Sequence, residues 1–552
     1  MRLRDSRPRR SIGSSAGPLV GVVGAVAFIL LASSLGSPPP SGSPPIATLP
    51  VAAGTLAPLP SEAGGSPGAG DSSAPSADAS GQVAVVPVTS FRNPWPSTSA
   101  DELGSVLRGE SRRYTALEFA QPDAEAILEL LGIREAGTSS RVLYADDPAA
   151  LRSDLAAHPD RLGFLEAGDV DPSVHALAWG DASLFGVRRL ASLDGWPLLL
   201  AAGTSAGASN GAAAYDPATA WTLVAGGDIN LDGGVAYHVK QLGLGVDFPF
   251  DGGTATITGH TCCSFAGLPL PVAKRTGNVG AVRQLLSLAD LSIANFENPA
   301  PNNFTYHQAG FNFSADPALI EGLANAGIDW VSLANNHIGN YGTSGILDTL
   351  QNLDTYGIAH GGADQNLDAA REATLLDAGG ITVGILGYDT IKPAYAATAS
   401  KPGSNEMTET RVRADVAAAR AAGAQLVIVF PHWGTEYAAT TTATQRRLAH
   451  AAIDAGADLV IGSHTHWAGG IEVYQGRPIF YSLGDFVFNI QRSEQTEESY
   501  LLELTLSGTR LVQAALHPFL ILDQSQPNLL DPAGSGKIVL KQVFGASPSL
   551  PW

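Results

Sequence analysis

The stretch Val460–Gly470 reads VIGSHTHWAGG, in which an apolar run ends and two histidines follow, His464 and His466. Side chains two positions apart on an extended segment point to the same side. Two imidazoles that face one way at the end of a buried strand suit a bound metal ion. The stretch therefore predicts a metal site, provided that other ligands converge on it from elsewhere in the chain.

Four other apolar, strand-like runs also end in side chains of the kind that bind metals. The runs are WTLVAGGD, ADLSIANFE, IDWVSLANNH and AQLVIVFPHWG, and their terminal polar residues are Asp228, Asn295, Glu297, Asn335, Asn336, His337 and His432. Helical patterns lie between the runs, at 279–288, 317–326, 343–353, 409–422 and 443–455. When strands and helices alternate, the strands run mostly parallel, and the residues just past their carboxyl ends share one edge of the sheet. We therefore predict an α/β fold in which the five clusters form one site.

The ligand types at these strand ends suit two hard or borderline divalent cations. Asp228 and Glu297 offer anionic oxygen, Asn336 offers a carbonyl oxygen, and the histidines offer neutral nitrogen. No thiolate takes part, which argues against a purely structural zinc site. Any one of these residues alone is explained as well by a helix cap, a turn or a satisfied buried polar group. Their recurrence after successive apolar strands is what indicates a metal pair.

Composition limits the class of protein. The chain has 552 residues, 45% of them hydrophobic, and a formal net charge of −20. This length predicts two or three folded units, and the acidic balance gives no support to nucleic-acid binding. The two cysteines, Cys262 and Cys263, are adjacent, which excludes a disulfide framework and leaves either two thiols or a vicinal bridge.

The N-terminus is typical of an export signal. An arginine-rich start precedes an apolar run within residues 1–36, and such a charge distribution places the rest of the chain outside the cytoplasm. Cleavage would release the protein, whereas retention would leave a membrane anchor of about 20 residues. Residues 37–81 are rich in Pro, Ser, Gly and Ala, which predicts a disordered linker. We expect an exported protein, either secreted or anchored at the cell surface.

Residues 82–214 are predicted to form a small α/β module. Short strands alternate with amphipathic helices, and the order of these elements resembles part of a periplasmic substrate-binding-protein lobe. No charged cluster in this region identifies a ligand, so a spacer or a partner-docking module is the alternative.

The motifs of the larger region resemble those of the poly-γ-glutamate capsule biosynthesis (CapA-type) proteins, a branch of the calcineurin-like metallophosphoesterase fold. The motifs are GGDINL, ADLSIANFENP, GIDWVSLANNHIGNYGTSGILDTL, FPHWGTEY and AGADLVIGSHTHWAGGIEVYQGRPIFYSLGDFVF. They mark a domain at 221–523 and leave 524–552 as a C-terminal tail. The resemblance implies a four-layer α/β/β/α sandwich with a dinuclear metal site at its loop edge, holding Mn, Fe, Zn or Mg.

The resemblance also implies roles for individual residues. Asp228 and His466 would bind the first metal, and Glu297 would stand where the broader fold has its bridging aspartate. His337 would be the general acid for the leaving group. The residues expected to bind the second metal are Asn336, His432 and His464.

The chain departs from the pattern of the broader fold at several positions. Asn230 replaces the histidine of the first Asp-x-His motif, Asn340 stands where aspartate is common in the narrower family, and Asp485 stands where asparagine is usual. These differences leave open whether the first metal position is occupied. The residues expected to support the site or line its pocket are Asn230, Asn295, Asn335, Trp433, Glu436 and Asp485.

Three functions follow as hypotheses. The first is a metal-dependent hydrolase acting on a phosphoester. The second is a component of a machine that exports or assembles an anionic polymer such as polyglutamate, in contact with membrane-bound polymer synthase subunits. The third is a surface-anchored scaffold without a metal, whose N-terminal lobe binds a partner. We expect the long segments 243–274 and 391–407 to cover the site and to set its specificity.

Overall fold

The computed structural model describes residues 81–134, 140–201, 215–306 and 310–552. The predicted export signal and nearly all of the predicted linker lie outside these ranges, as do the last residues of the predicted module at 202–214. Within the described part of the chain, no helix is long and apolar enough to cross a membrane.

The residues from Gln82 to Ala201 form a small α/β module around one sheet, with strand order β4-β3-β5-β1-β6 and with β8 paired to β1. Helix α1 begins after Ser99, whose hydroxyl accepts a hydrogen bond from the Glu102 amide, and it ends at Gly109 in a left-handed conformation. The elements are β1 (Gln82–Ser90), β2 (Ser97–Thr98), α1 (Ala100–Arg108), β3 (Ala116–Ala120), α2 (Ala124–Leu130), β4 (Val142–Ala145), α3 (Pro148–Ala157), β5 (Arg161–Glu166), β6 (Val174–Ala176), β7 (Ala178–Trp179) and β8 (Leu199–Ala201). The smaller α/β module predicted ahead of the main domain is therefore present.

The rest of the described chain is built on two large sheets. The first has ten strands among the described residues, in the order β11-β10-β26-β25-β24-β9-β12-β13-β14 with β23 paired to β9. Its strands are β9 (Ala220–Ile229), β10 (Thr254–Thr261), β11 (Leu270–Gly277), β12 (Leu291–Phe296), β13 (Trp330–Ser332), β14 (Ala359–Gly361), β23 (Asp485–Val487), β24 (Glu498–Ser507), β25 (Arg510–Leu522) and β26 (Gln526–Leu530). Strands β9, β12, β13 and β14 are parallel, so their carboxyl ends meet at one edge.

The second large sheet has six strands in the order β16-β17-β19-β20-β22-β21. They are β16 (Thr374–Ala378), β17 (Ile381–Asp389), β19 (Leu426–His432), β20 (Leu459–Ile461), β21 (Ile471–Tyr474) and β22 (Arg477–Phe480). A short pair, β15 (Ala363–Asp364) and β18 (Gly403–Ser404), lies apart from both sheets. Strands β17, β19, β20 and β22 are parallel, so this sheet also gathers its strand ends at one edge.

Helices cover the outer face of each sheet. The helices of this region are α4 (Gly233–Ala236), α5 (Ala281–Leu288), α6 (Ile320–Ala326), α7 (Gly342–Thr355), α8 (Leu367–Arg371), α9 (Glu409–Ala421), α10 (Ala443–Asp454), α11 (Glu494–Glu497) and α12 (Lys537–Gly545). The five predicted helices are confirmed to within two residues at their ends, except that Pro317–Leu319 forms a 3₁₀ turn before α6 begins.

The two large sheets pack face to face. The side chains of β19 point alternately to the two faces of its sheet. Val427 and Val429 pack against α9 and α10, whereas Phe430 faces the other sheet. The rings of Trp330 and Phe430 lie 5.8 Å apart between the sheets, and both side chains are fully buried. Helices α5, α6 and α7 pack on the opposite face of the ten-stranded sheet. The four layers confirm the predicted α/β/β/α sandwich.

Two segments are more regular than the sequence suggested. The segment predicted as a covering loop at 243–274 contains most of an antiparallel hairpin, β10 and β11, with a Cys262–Cys263 vicinal disulfide near its tip. The predicted tail at 524–552 contains β26 and α12, and β26 pairs with β25 inside the ten-stranded sheet. Strand β10 also pairs in parallel with β26, more than 250 residues away in the sequence, and a local pattern does not reveal such a partner.

Candidate metal centre

The ten-stranded sheet brings its acidic side chains to one edge. Asp228 lies one residue before the end of β9 and is the register partner of Asn295 on β12 and of Asp485 on β23. Glu297 follows directly after β12, and its amide donates to the Ile229 carbonyl at 2.8 Å. Three carboxylates from separate strands therefore meet at the carboxyl end of this sheet.

The six-stranded sheet brings its histidines to the same place. His432 is the last residue of β19, and it forms a bridge with Ser463, just after β20. His464 and His466 both have positive φ angles, 95° and 58°. The chain after β20 therefore leaves the extended form, and each imidazole is directed by a conformation that non-glycine residues seldom adopt. The five strand-end clusters predicted to converge do lie together in the structure.

The first group of candidate ligands is Glu297, His432 and His464. One ligand atom from each lies within 4.8 Å of the others, and all three residues are buried. Three groups approach the Nε2 atom of His432: the Asn336 Oδ1 atom at 2.8 Å, the His464 Nδ1 atom at 3.1 Å and a Glu297 carboxylate oxygen at 3.5 Å. A single ring nitrogen satisfies at most one of these neighbours with a hydrogen bond. A set of donor atoms around one point is the arrangement that a cation fills.

Glu297 gives the strongest indication that the site binds a cation. Its side chain has no exposed surface, and neither of its carboxylate oxygens has a hydrogen-bond partner. Burial, which the negative charge of Asp485 reinforces, raises the pKa of Glu297 to about 8. A buried carboxylate without donors is costly unless a cation compensates it. The residues present therefore fit a divalent metal ion at this position.

The second group is Asp228, His466 and Asp485, whose ligand atoms also lie within 4.8 Å of one another. The Nδ1 atom of His466 is 2.8 Å from an Asp485 oxygen, and the other Asp485 oxygen has no partner. The sequence analysis placed Asp485 in the supporting shell or pocket, but the structure places it among the candidate ligands. A carboxylate that orients an imidazole is common beside bound metals.

Burial controls the ionisation of this second group. Burial and the nearby Glu297 raise the pKa of Asp228 to about 6. Burial also raises the pKa of Asp485 to about 7, against the opposing effect of His466. For His466, burial lowers the pKa, but Asp485 and the other carboxylates outweigh it and raise the pKa to about 10. Acids with raised pKa values beside a buried imidazole are typical of functional sites.

The two remaining histidines of the centre are held neutral. Burial lowers the pKa of His432, and it lowers the pKa of His464 well below the usual range, with neighbouring histidines adding to the effect. Neutral imidazole is the form that binds metals. The Nδ1 atom of His432 lies 2.9 Å from the Ser463 hydroxyl, and that contact orients the ring. Ser463 is a positioning residue that the sequence analysis did not identify, although it lies inside the GSHTH motif.

Two asparagines support the site through hydrogen bonds. The amide of Asn295 donates to Asp228 at 2.7 Å, and the amide of Asn335 donates to the Phe296 carbonyl at 2.8 Å. The Oδ1 atom of Asn335 accepts from the backbone amide of His337. Both side chains are fully buried, in the supporting positions that the sequence analysis expected. Asn230 is also buried, and its Oδ1 atom accepts from the Asp232 amide.

Trp433 and Glu436, which the sequence analysis expected to support the site or line its pocket, lie in different surroundings from each other. Trp433 is buried in the core beneath α9 and α10, and its indole nitrogen donates to the Tyr481 carbonyl at 2.9 Å. It therefore packs and does not line the pocket. Glu436 is exposed near the centre, and its charge contributes to raising the pKa of Glu297.

His337 lies beside the two ligand groups without joining either. Its ring packs on Phe313 with the ring centres 4.4 Å apart, and its Nδ1 atom is 3.0 Å from the Asn340 amide nitrogen. That nitrogen also lies near the carbonyls of Phe311 and Phe313, which identifies it as the donor and leaves the hydrogen of a neutral His337 ring on Nε2. Burial and the charges of nearby histidines lower the pKa of His337 to about 3. Its role as general acid stays a prediction.

Comparison with known proteins identifies the larger region. Residues 222–490 match the family described as bacterial capsule synthesis protein PGA_cap. The capsule biosynthesis protein CapA of Bacillus anthracis is 32% identical over 241 residues, which cover 42% of this chain and 58% of that protein. The PGA biosynthesis protein CapA of Bacillus subtilis (strain 168) is 33% identical over 233 residues, which cover 41% of this chain and 60% of that protein. The match thus spans less than two thirds of these relatives.

Among solved structures, the calcineurin-like phosphoesterase YfkN of Bacillus subtilis overlaps 59% of this chain and 96% of its own, at 13% identity and a TM-score of 0.32. That overlap is too loose to support an argument about function. The sequence match alone covers the strands that carry Asp228, Glu297, His432 and the GSHTH histidines. Residues 222–490 are therefore similar to the bacterial capsule synthesis protein PGA_cap family.

Proposed function

We propose that this chain is a metal-dependent hydrolase that acts on a phosphoester in the biosynthesis of an anionic cell-surface polymer. The observation that carries the proposal is the buried carboxylate of Glu297, which has no hydrogen-bond partner and lies beside His432 and His464. Without a cation, burial favours the protonated form of Glu297, whereas a bound ion would stabilise its carboxylate. The names of the CapA relatives supply the polymer context.

Two groups of residues would hold two divalent ions, which we propose to be Mn, Fe, Zn or Mg. Glu297, His432 and His464, together with Asn336, would hold one ion, and Asp228, His466 and Asp485 would hold the other. When bound, such ions supply Lewis acidity and lower the pKa of a water molecule. The mixture of carboxylate oxygen and imidazole nitrogen suits all four metals.

The chain's own residues would orient the reacting groups. Asn295 holds Asp228 at 2.7 Å, and Asp485 holds the His466 ring at 2.8 Å, so neither ligand is free to turn. In ester hydrolysis a water oxygen bonds to phosphorus, and the ester oxygen leaves with a proton. That proton comes from the attacking water, and we assign to His337 a hydrogen bond to the departing oxygen, because the Asn340 contact places the ring hydrogen on Nε2.

The test is hydrolysis of bis-p-nitrophenyl phosphate by the full chain with added manganese. Wild-type protein should bind about two ions per chain by elemental analysis and should turn over the ester. A His464→Ala, His466→Ala variant should lose both properties. His450→Ala is the matched control, because His450 stacks on Tyr474 outside the ligand groups. Turnover no faster in wild type than in the double variant would reject the proposal.

His337 is tested separately by substitution with Ala. The variant should keep both ions but lose turnover of an alkyl phosphoester by about 100-fold, because the departing alkoxide loses a hydrogen-bond donor. The loss should shrink for esters whose leaving group needs no proton. A loss that is equal for good and poor leaving groups would remove His337 from the reaction.

A second candidate function is a non-catalytic component that binds an acidic polymer through its metals. The net charge of −20 favours this candidate, because an acidic protein needs cations to hold a polyanion. Such a component would be exported and would contact membrane-bound synthase subunits. Metal-dependent binding of polyglutamate without ester turnover would select it over the hydrolase.

A further inference from the structure

Many basic side chains of the described chain are neutralised locally. Arg275 pairs with Asp523, Arg371 with Asp415, and Arg420 with Asp458. This is expected in a chain with 52 acidic and 32 basic residues. A cation that lies beside the metal centre without an ion-pair partner is in contrast available to an anion that approaches the centre.

Arg492 is such a cation. Its guanidinium carbon lies 4.2 Å from the centre of the Tyr437 ring, and the Tyr437 ring stacks on His466 with the centres 5.6 Å apart. Among the described residues, no carboxylate forms an ion pair with Arg492, and its side chain is half-buried. Arg492 thus lies one aromatic ring away from a candidate metal ligand, with its hydrogen-bond donors uncommitted to any acid.

The backbone of Arg492 is held in place on both sides. Its amide donates to the Thr496 hydroxyl at 3.2 Å, and its carbonyl accepts from the Ser264 hydroxyl at 2.5 Å. Ser264 belongs to the tip of the β10–β11 hairpin, which also contacts this segment through the His260–Glu494 pair at 3.0 Å. The hairpin therefore fixes the position from which the Arg492 side chain extends.

Lys392 is a second cation near the centre, close enough for its charge to act on His337. It follows Asp389, the register partner of His432, and its amine lies 5.8 Å from the Tyr395 ring. The Tyr395 hydroxyl donates to Asn340 at 3.3 Å, and Asn340 contacts His337. In the part of the chain that the structure describes, Lys392 has no ion pair with a carboxylate. Near the centre there are therefore two cations over tyrosine rings: Tyr437 stacks on His466, and Tyr395 reaches His337 through Asn340.

Cations of this kind suit oxyanions that lie beyond the reach of the metals. Arginine binds carboxylate and phosphate in a bidentate manner, and a tyrosine face holds its guanidinium plane without consuming its donors. We infer that Arg492, assisted by Lys392, binds flanking oxyanions of an extended polyanionic chain, so that the substrate is a polymer that crosses the metal centre and not an isolated phosphate. This inference rests on the proposed function, because it specifies the substrate class of the same site.

The experiment measures equilibrium binding to the manganese-loaded full chain by fluorescence anisotropy. The probes are a labelled poly-γ-glutamate oligomer and a labelled polyphosphate of similar length, which distinguish a carboxylate chain from a phosphate chain. Inorganic phosphate, followed by competition, reports the metal centre alone. The variants are Arg492→Gln, Arg492→Lys and Lys392→Gln.

Arg113→Gln is the matched control, because the Arg113 guanidinium carbon lies 4.1 Å from the Trp95 ring in the N-terminal module, far along the chain from the centre. Thermal melting establishes that each variant is folded. Arg492→Lys preserves the charge and guards against a loss that is due to misfolding.

We expect Arg492→Gln to weaken binding of the preferred polymer about tenfold, with a smaller loss for Arg492→Lys and for Lys392→Gln. Phosphate competition and the Arg113→Gln control should stay unchanged, and the loss should diminish at high salt. Equal losses for phosphate and polymer, unchanged polymer binding in Arg492→Gln, or failure of wild type to bind either polymer would overturn the inference. Polymer binding that depends on Arg492 without ester turnover would reject the hydrolase and leave this inference standing.

Discussion

The two sheets of the sandwich contribute different atoms to the candidate metal centre. The ten-stranded sheet supplies its carboxylate oxygens, and the six-stranded sheet and the segment after it supply the imidazole nitrogens. Each of the two ligand groups contains residues from both sheets. Neither sheet alone therefore holds a complete ligand group, and the centre forms only when the two sheets are packed together.

The largest effect should come from removing the contribution of one sheet. An Asp228→Asn, Glu297→Gln, Asp485→Asn variant keeps the shape of the oxygen set but removes its charge. We expect manganese affinity to fall by more than about 100-fold, with a smaller loss for zinc, because the remaining nitrogen ligands favour the softer ion. Calorimetric titration of both metals measures this.

Asp377→Asn, an exposed substitution on β16, is the control and should alter neither affinity. If the triple variant lost affinity for zinc and for manganese equally, the supply of carboxylates by one sheet and of imidazoles by the other would not determine which metal binds.

The next effect concerns the contact between the sheets. Trp330→Ala removes a fully buried ring that packs on Phe430, and it should lower the free energy of unfolding by about 3–5 kcal/mol. Because the ligands come from both sheets, the folded variant should also bind manganese more weakly. Chemical denaturation and metal titration provide the two measurements.

Trp196→Ala is the matched control, since Trp196 is equally buried but lies in the N-terminal module. It should destabilise the protein without changing metal affinity. Unaltered metal affinity in Trp330→Ala would mean that the sheets are positioned by other contacts.

Metal binding itself should stabilise the sandwich. At a free manganese concentration 100 times the dissociation constant, the free energy of unfolding should rise by about 2.7 kcal/mol per site. Differential scanning calorimetry with manganese and with a chelator measures the shift. A His464→Ala variant should show a much smaller shift, and an equal shift would place the stabilising metal elsewhere.

A smaller effect concerns Glu498, a buried acid of the ten-stranded sheet that belongs to neither ligand group. Burial, reinforced by Glu494 and Glu497, raises the pKa of Glu498 to about 8, and one of its oxygens has no partner. The folded state thus binds more protons than the unfolded state between pH 4.5 and about 8, so stability falls as the pH rises through this window.

Glu498→Gln should therefore be more stable than wild type by about 2 kcal/mol at pH 9 and should differ little at pH 4. Urea denaturation at the two pH values measures the difference. Manganese should leave it unchanged, because Glu498 belongs to neither ligand group. A difference that manganese abolished would connect Glu498 to the centre.

Much of the sandwich fold and of the candidate metal centre can be predicted from local sequence patterns. Asp228 and His432 lie at the ends of apolar strands, and the GSHTH histidines come shortly after another strand. Parallel strands place such residues at one edge. The predicted helices were also recovered, because their periodicity is local.

The sequence analysis missed features that depend on pairing between distant residues. Asp485 opens a strand of three residues, too short to carry a periodic signal, and its place beside Asp228 comes from pairing over more than 250 positions. The stack of Arg492 on Tyr437 likewise joins residues with no common motif. The β10–β11 hairpin could not be assigned because its residues are mostly exposed and show no alternation of burial.

The left-handed backbone at His464 and His466 bears on how this protein responds to selection. Non-glycine residues in that conformation cost on the order of 1 kcal/mol each, and glycine would avoid the cost. Directed evolution towards heat resistance in the presence of a chelator should therefore replace these histidines with glycine or asparagine. The same campaign run with manganese should retain both, so the residues that survive would report whether the metal or the bare fold is being selected.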